Sequence, residues 1–102
     1  MILTTTDSVP GRQIAEVLGI VRGSYMHGSA TILSSFTDPR RVEQMLDELR
    51  EDEDRAFEQL TERAKELGAD AVIGLRIAPD VFEYDNALKH RVIIYGTAVK
   101  LA

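Results

Sequence analysis

The side chains in this sequence that are best suited to bind a metal ion are two histidines, His27 and His90, together with three methionines. Soft heavy-metal ions prefer thiolate, thioether or imidazole ligands, and the chain contains no cysteine. Neither histidine has a second metal ligand four residues away, so helical spacing predicts no site. Symmetry in an oligomer would still bring copies of one histidine together. A divalent-metal site at His27 and His90 is therefore one interpretation, and ordinary polar positions at strand ends are the other.

Two arginines, Arg22 and Arg76, interrupt apolar runs that are typical of strands. A guanidinium group binds carboxylate or phosphate groups through two parallel hydrogen bonds. One role for these arginines is an ion pair between subunits, for example with Glu16, and the other is recognition of a small ligand. Together with Tyr25 and His27, which follow Arg22 in the sequence, they make a candidate ligand-binding set.

No pattern in the sequence predicts catalysis. The acids Glu16 and Glu83 would have to lie side by side for acid–base chemistry, and nothing in their spacing brings them together. The hydroxyl groups near the N-terminus have no histidine close in sequence to activate them. We therefore predict no catalytic residue. An enzyme whose site is assembled between subunits stays an alternative, with candidate residues Tyr25, His27 and Ser29.

A run of carboxylate residues lies in the middle of the chain. It comprises Asp47, Glu48, Glu51, Asp52, Glu53 and Asp54. It lacks the glycine and the alternating ligand positions of a calcium-binding loop. The run lies within a helical pattern, and Arg50 and Arg55 balance part of its charge. These carboxylates are therefore predicted to form a solvated helix face.

Composition limits the partners of the protein. The 102 residues carry a formal net charge of −5 and are 44% hydrophobic, which suits one domain over residues 1–102. A negative domain repels nucleic-acid phosphates and anionic membrane surfaces, so neither is an expected partner. No apolar run approaches the roughly 20 residues of a membrane-spanning helix, and the N-terminus has no signal-peptide pattern. A cytoplasmic location is therefore expected.

The elements that must position these side chains follow from apolar spacing and from helix-end signals. Asp38 and Pro39 favour a helix start, and Gly68 favours a helix end, because glycine adopts the left-handed conformation at low cost. The 3.6-residue spacing between these signals predicts a helix over residues 39–67, with an apolar stripe that includes Leu46 and Leu67. Strands are predicted over residues 2–5, 13–26, 71–82 and 90–101, with a loop over 27–37 and a hairpin connection over 84–89.

This order predicts an α+β fold: a two-layer β-α-β-β unit with a short extra N-terminal strand and one long helix on a mostly antiparallel sheet. The last predicted strand is apolar on both faces and therefore belongs in the middle of the sheet. Gly19 and Gly23 indicate a bulge or a close backbone approach in the strand over residues 13–26. One helix covers one face of the sheet, so the other apolar face is expected to be an interface in a homo-oligomer.

Several motifs occur in the order found in a known family. They are the run Arg55 to Leu60, the run Leu67 to Gly74 and the closing run Gly96 to Lys100, with Thr4, Thr5, Gly11, Gly19 and Gly23 near the start. In these motifs nearly the whole chain resembles the YbjQ-like family, whose members are mostly uncharacterised and described as "putative heavy-metal-binding". The resemblance implies a dodecin-subunit-like fold and a ring-shaped homo-oligomer, a pentamer. It implies no catalytic residues, and the segment Ser34 to Pro39 replaces a glycine-rich segment common in relatives.

Together these observations predict a cytoplasmic, homo-oligomeric protein, a pentamer by the resemblance. It would work as a binding module for a divalent metal ion or a small ligand. The expected partner of the chain is a further copy of itself, and the ligand pocket would lie between subunits. An enzyme assembled at the subunit interface and a purely structural protein-interaction module are the alternatives.

Overall fold

The computed structural model describes residues 1–28, 39–84 and 87–102. The chain forms strand β1 (Ile2–Leu3), strand β2 (Ile14–Gly28), helix α1 (Pro39–Glu66), strand β3 (Ala71–Tyr84) and strand β4 (Ala87–Leu101). This is the predicted order of one helix and four strands. The predicted cap Asp38 and most of the predicted loop lie outside the described residues, whereas His27 and Gly28 continue β2.

The four strands form one mixed sheet in the order β1-β3-β4-β2. Strand β4 is central and antiparallel to both β2 and β3, as its apolar residues on both faces predicted. Strand β1 adds a short parallel pair at the outer edge of β3. The structure therefore confirms the α+β class, with one helix on a mostly antiparallel sheet.

The hairpin of β3 and β4 is longer than the sequence predicted. Pairing continues through Phe82 with Lys89 and through Tyr84 with Ala87, so most of the expected connection over residues 84–89 belongs to strands. The prediction was wrong because it assigned polar side chains to a turn. The hydrogen bonds of a strand pair join backbone groups, and they tolerate polar side chains at the end of a sheet.

Helix α1 packs across β2 and β4 through an apolar stripe. Ala56, Leu60 and Ala64 follow at four-residue spacing on one side of the helix and are fully buried. They join one core cluster with residues of the sheet, among them Val21, Val92, Ile94 and Ala98. Leu46 and Leu67, which the predicted stripe included, are 49% and 46% exposed. The apolar stripe is therefore shorter than predicted, since Leu46 lies off the four-residue series and Leu67 follows the helix end.

Helix α1 ends at a glycine turn, as predicted. The Gly68 amide donates a hydrogen bond of 2.9 Å to the Lys65 carbonyl, and the Ala69 amide donates one of 3.0 Å to the Ala64 carbonyl. This pair of bonds is a Schellman motif, which needs a left-handed residue just after the helix. Gly68 has a φ of +79°, which glycine adopts without a Cβ clash. The chain can therefore turn directly from α1 into β3.

The two glycines of β2 have the roles that the sequence indicated. A Cβ at Gly23 would overlap the carbonyl oxygen of Ala56 and would lie 2.8 Å from the amide nitrogen of Leu60. Gly23 therefore allows the backbone of α1 to approach the sheet closely. Gly19 has a φ of +134° and lies at a register shift that begins at Val17, which is a β-bulge.

The sheet face opposite α1 is open in this chain. Its exposed apolar side chains include Ile20 at 79%, Met26 at 58% and Tyr95 at 45% of their full accessible area. This result agrees with the expectation that one helix covers one face. In the described part of the chain, α1 does not have the apolar length that a membrane-spanning helix needs.

Candidate functional site

The side of α1 that faces the sheet changes from apolar to acidic towards the N-terminal end of the helix. Residues 48, 52, 56, 60 and 64 follow at four-residue spacing, which keeps them on one side. The last three are the buried alanine and leucine residues of the core, and the first two are Glu48 and Asp52. The sheet changes at the same level, because β4 presents the buried residues Ile94, Val92 and then His90 to the helix.

His90 is the centre of a buried polar cluster. Its Nδ1 atom lies 2.6 Å from Oδ2 of Asp52, and its Nε2 atom lies 3.6 Å from Oε2 of Glu48. His90 and Asp52 are 1% and 2% exposed, whereas the Glu48 side chain keeps 28% of its accessible area. Burying an imidazole and a carboxylate is costly unless each has a polar partner. The three side chains therefore form one polar unit between α1 and β4, and Glu48 is its solvent-facing end.

Two of the carboxylates that the sequence predicted to be solvated belong to this cluster. The prediction was wrong for Asp52, which is buried, and for Glu48, which is partly buried, because both lie on the sheet-facing side of α1. It is confirmed for Asp47, Glu51 and Asp54, which are exposed, whereas Glu53 is partly buried. The missed signal was the four-residue series, since it continues the buried apolar stripe into the acidic run.

The two histidines that the sequence proposed as metal ligands are neighbours in the sheet. His27 of β2 is the Cα partner of His90 of β4. Antiparallel pairing therefore brings together two residues that are far apart in the chain. The structure describes the backbone of His27, and its side chain lies outside the described part. The metal-ligand roles of His27 and His90 stay predictions.

The donor atoms of the cluster suit a borderline divalent ion better than a soft one. Imidazole nitrogen and carboxylate oxygen suit zinc, nickel and copper(II), and the chain has no thiolate. Two ligands bonded to one such ion at about 2.0–2.2 Å lie roughly 3.4 Å apart in a tetrahedral site. Nε2 of His90 and Oε2 of Glu48 are 3.6 Å apart. Among the described side chains, no group of three or more His, Asp and Glu is arranged to hold an ion, so His90 and Glu48 offer two donor atoms and not a complete site.

The predicted ligand-binding residues divide between the two faces of the sheet. Arg22 of β2 and Arg76 of β3 are both register partners of Tyr95 of β4, so the three residues form one row across the open face. Tyr25 lies on the helix side. Its hydroxyl accepts a hydrogen bond of 2.6 Å from Arg55, whose guanidinium carbon lies 4.8 Å from the centre of the ring. Within one chain the geometry thus brings Arg22 and Arg76 together and keeps Tyr25 apart from them.

Of the residues proposed for an enzymatic alternative, Tyr25 is the one whose side chain the structure describes. The hydroxyl of Tyr25 is bonded to Arg55. Ser29 lies outside the described residues. The described contacts of the His90 imidazole are with the carboxylates of Asp52 and Glu48.

The fold and the cluster define the class of protein: a small α+β unit in which one helix covers one face of a four-stranded sheet and buries a histidine–carboxylate cluster. A crystal structure of a protein of unknown function from Pediococcus pentosaceus, described as a member of the DUF74 family, matches this chain with a TM-score of 0.66. The match covers 100% of this chain and 98% of that chain at 24% sequence identity. This likeness shows the shared fold.

The family follows from the sequence comparisons. The YbjQ family model, described as "Putative heavy-metal-binding", matches residues 1–102. UPF0145 proteins from Fervidobacterium nodosum and Thermotoga maritima are 39% and 37% identical to this chain over 106 and 109 residues. Each alignment covers 99% of this chain, and they cover 95% and 97% of the two relatives. The chain belongs to the YbjQ family, as its motifs indicated.

Proposed function

We propose that this chain is a homo-oligomeric metal-binding module that takes up a divalent transition-metal ion beside His90. The observation that carries the proposal is the buried contact between His90 and Asp52, with Glu48 on the other side of the imidazole. The description of the family, "Putative heavy-metal-binding", names the same kind of ligand. The donor atoms of the cluster narrow that ligand to ions that accept nitrogen and oxygen.

Each member of the cluster has a distinct role in this proposal. A metal-binding histidine uses one ring nitrogen for the ion, while the other donates its hydrogen to a carboxylate that fixes the orientation of the ring. Asp52 lies beside Nδ1, which leaves Nε2 of His90 as the ligand atom. Glu48 supplies an oxygen ligand from α1 and connects the site to solvent. The bound ion would supply a positive charge next to the two carboxylates.

A complete site needs ligands beyond His90 and Glu48. Zinc sites usually have four ligands, of which one is a water molecule in open sites. We propose His27 as the third protein ligand, because its Cα is paired with that of His90 across β2 and β4. The ligands would then come from two neighbouring strands and the helix that covers them.

The test is the thermal stability of chelator-treated protein at one protein concentration, with and without Zn²⁺. An ion that binds only the folded state adds about 2.7 kcal/mol to the free energy of unfolding at 100 times its Kd. For a domain of this size that gain corresponds to a rise in Tm of roughly 10–20 °C. We expect such a rise for the wild-type protein with Zn²⁺, and a rise of the same sign with Co²⁺ or Ni²⁺.

Glu48→Gln and Glu51→Gln are the matched variants for this test. Both variants make the same chemical change. Glu48 belongs to the cluster around His90, whereas Glu51 is exposed one helical turn away. Glu48→Gln should lose most of the metal-dependent rise in Tm, and Glu51→Gln should keep it. A Tm that Zn²⁺, Co²⁺, Ni²⁺ and Cu²⁺ all leave unchanged would contradict the proposal, since an ion bound to the folded state must stabilise it.

We also propose that further copies of the chain cover the open sheet face. The exposed side chains Ile20, Met26 and Tyr95 leave apolar area in water, and burial of such area contributes about 25 cal/mol per Å². The pentameric ring that the resemblance implies is the assembly we expect. A small anionic ligand between subunits is the second candidate, favoured by the row in which Arg22 and Arg76 flank Tyr95.

The remaining partner assignments rest on the charge of the chain. The net charge of −5 disfavours nucleic acid and anionic membrane as partners, so the proposal includes neither. The expected partners are further copies of the chain and the bound ion. The cytoplasmic location stays a prediction from the sequence.

A further inference from the structure

The two halves of helix α1 are attached to the sheet by different kinds of contact. The C-terminal half, residues 55–66, carries the fully buried side chains Ala56, Leu60 and Ala64. Polar side chains of this half also reach the outer edge of β2. The amide of Ser24 donates a hydrogen bond of 2.8 Å to Oε1 of Gln59, and Nη1 of Arg63 donates one of 2.8 Å to the carbonyl of Arg22. Apolar burial and hydrogen bonds therefore both hold the C-terminal half.

In the N-terminal half, residues 39–54, the contacts described with the sheet are polar. Among its described side chains the fully buried one is Asp52, Leu46 is 49% exposed and Leu49 is partly buried. Asp52 and Glu48 contact His90 of β4. A buried polar contact contributes little net stability, because desolvation of its groups offsets most of the attraction. A fully buried aliphatic side chain such as Leu60 contributes about 1.5–3 kcal/mol, so the N-terminal half should open at a lower free energy.

The proposed ligand atoms lie on opposite sides of this weaker contact. Nε2 belongs to His90 on β4, and Oε2 belongs to Glu48 on α1. An ion that needs both atoms binds more tightly when this part of the helix is docked. A ligand with such a preference shifts the population towards the state that it binds more tightly.

We infer that metal binding at His90 and Glu48 controls the docking of the N-terminal half of α1 on the sheet. This inference rests on the metal site proposed above and adds a conformational role to it. With metal, residues 43–54 stay against β4; without metal, they open more often. Residues 56–66 stay docked in both states through their apolar contacts. Asp52 is a positioning residue, since it orients the His90 imidazole in the docked state.

Amide hydrogen exchange of the intact, chelator-treated chain measures this link, with and without Zn²⁺. A metal that binds only the docked state slows exchange through helix opening by up to about 100-fold at 100 times its Kd. We expect this slowing in peptides that cover residues 43–54 and a much smaller change in peptides that cover residues 56–66. Isothermal titration calorimetry measures zinc binding separately.

Asp52→Asn and Asp47→Asn are the matched variants for exchange. Both remove one negative charge from α1 with little change in volume, and the Asp47 side chain is 72% exposed. Loss of a carboxylate that orients a metal-binding histidine typically weakens metal affinity 10–100-fold. Asp52→Asn should therefore need about that much more zinc to slow exchange over residues 43–54. Asp47→Asn should behave as the wild-type protein does.

The outcomes separate this inference from the proposed function. Zinc binding with slowing concentrated in residues 43–54 supports both. Zinc binding without slowing there, or with equal slowing in both halves of α1, overturns the link to docking and leaves the metal site in place. An absence of binding in the calorimeter for all of Zn²⁺, Co²⁺, Ni²⁺ and Cu²⁺ overturns both.

Discussion

At the scale of single residues, Asp52 has the environment least expected from its neighbours in sequence. It stands in a run of acids and is nevertheless 2% exposed, with Oδ2 at 2.6 Å from Nδ1 of His90. An isolated carboxylate would not stay charged in such a place at an acceptable cost. The partner on β4 makes the position possible, and the four-residue step to Ala56 places the carboxylate on the sheet side.

Under the proposed function, the chemistry of the same residues sets the kind of ion that this chain would bind. Thiophilic ions gain most from sulfur ligands, and the chain has no cysteine. The cluster instead offers the imidazole of His90 and the carboxylate of Glu48. A module with these donors is suited to zinc, cobalt, nickel or copper(II), which is a narrower group than the family description suggests.

At the scale of elements, the contact between α1 and β2 depends on a missing side chain. The space that a Cβ at Gly23 would occupy is filled by backbone atoms of Ala56 and Leu60. Backbone atoms in a helix cannot rotate away as a flexible side chain can. Helix α1 can therefore lie this close to the sheet only while position 23 is glycine.

We predict that Gly23→Ala destabilises the protein by about 1–3 kcal/mol or more, because the added methyl group forces the helix outward. Gly68→Ala is the comparison. Its cost is the left-handed backbone, about 1–2 kcal/mol, since the atoms near a Cβ there belong to the flexible Lys100 side chain. Urea denaturation of both variants measures the two costs. A larger loss for Gly68→Ala than for Gly23→Ala would contradict this account of the helix–sheet contact.

Local signals allowed most elements to be predicted from the sequence. Gly68 marked the end of α1, Gly19 and Gly23 marked the bulge and the close approach, and the apolar pattern marked β4 as the central strand. The cluster around His90 was not predicted. Its formation depends on which residue of β4 lies opposite Asp52, and that register is set by the whole helix–sheet packing rather than by neighbours in sequence.

At the scale of the whole molecule, the open sheet face is the feature that a single chain leaves unexplained. Large exposed apolar patches usually mark interfaces, and Ile20 is 79% exposed at the centre of β2. Charged residues share this face, since Arg22 and Arg76 flank Tyr95. A face that combines apolar side chains and arginines is typical of a protein–protein interface.

We predict that the wild-type protein sediments as a homo-oligomer at micromolar concentration and that Ile20→Glu shifts it towards monomer. A carboxylate buried at an interface without a partner is costly, which disfavours the assembled state. Leu46→Glu is the control, because Leu46 is an exposed leucine on the helix side of the molecule, and it should leave the assembly intact. A wild-type protein that sediments as a stable monomer would show that the open face needs no second copy.

The most direct measurement of the central claim is a long-range ¹H–¹⁵N NMR spectrum of the histidine side chains during a zinc titration. We predict that the Nε2 resonance of His90 shifts as zinc binds, because Nε2 faces Glu48 and is the proposed ligand atom. The Nδ1 resonance should shift much less, because Nδ1 stays beside Asp52 and does not bind the ion. Zinc should be added to a concentration that saturates a site with a micromolar Kd. Unchanged resonances at both nitrogens of His90 under these conditions would contradict the claim that His90 anchors a metal site.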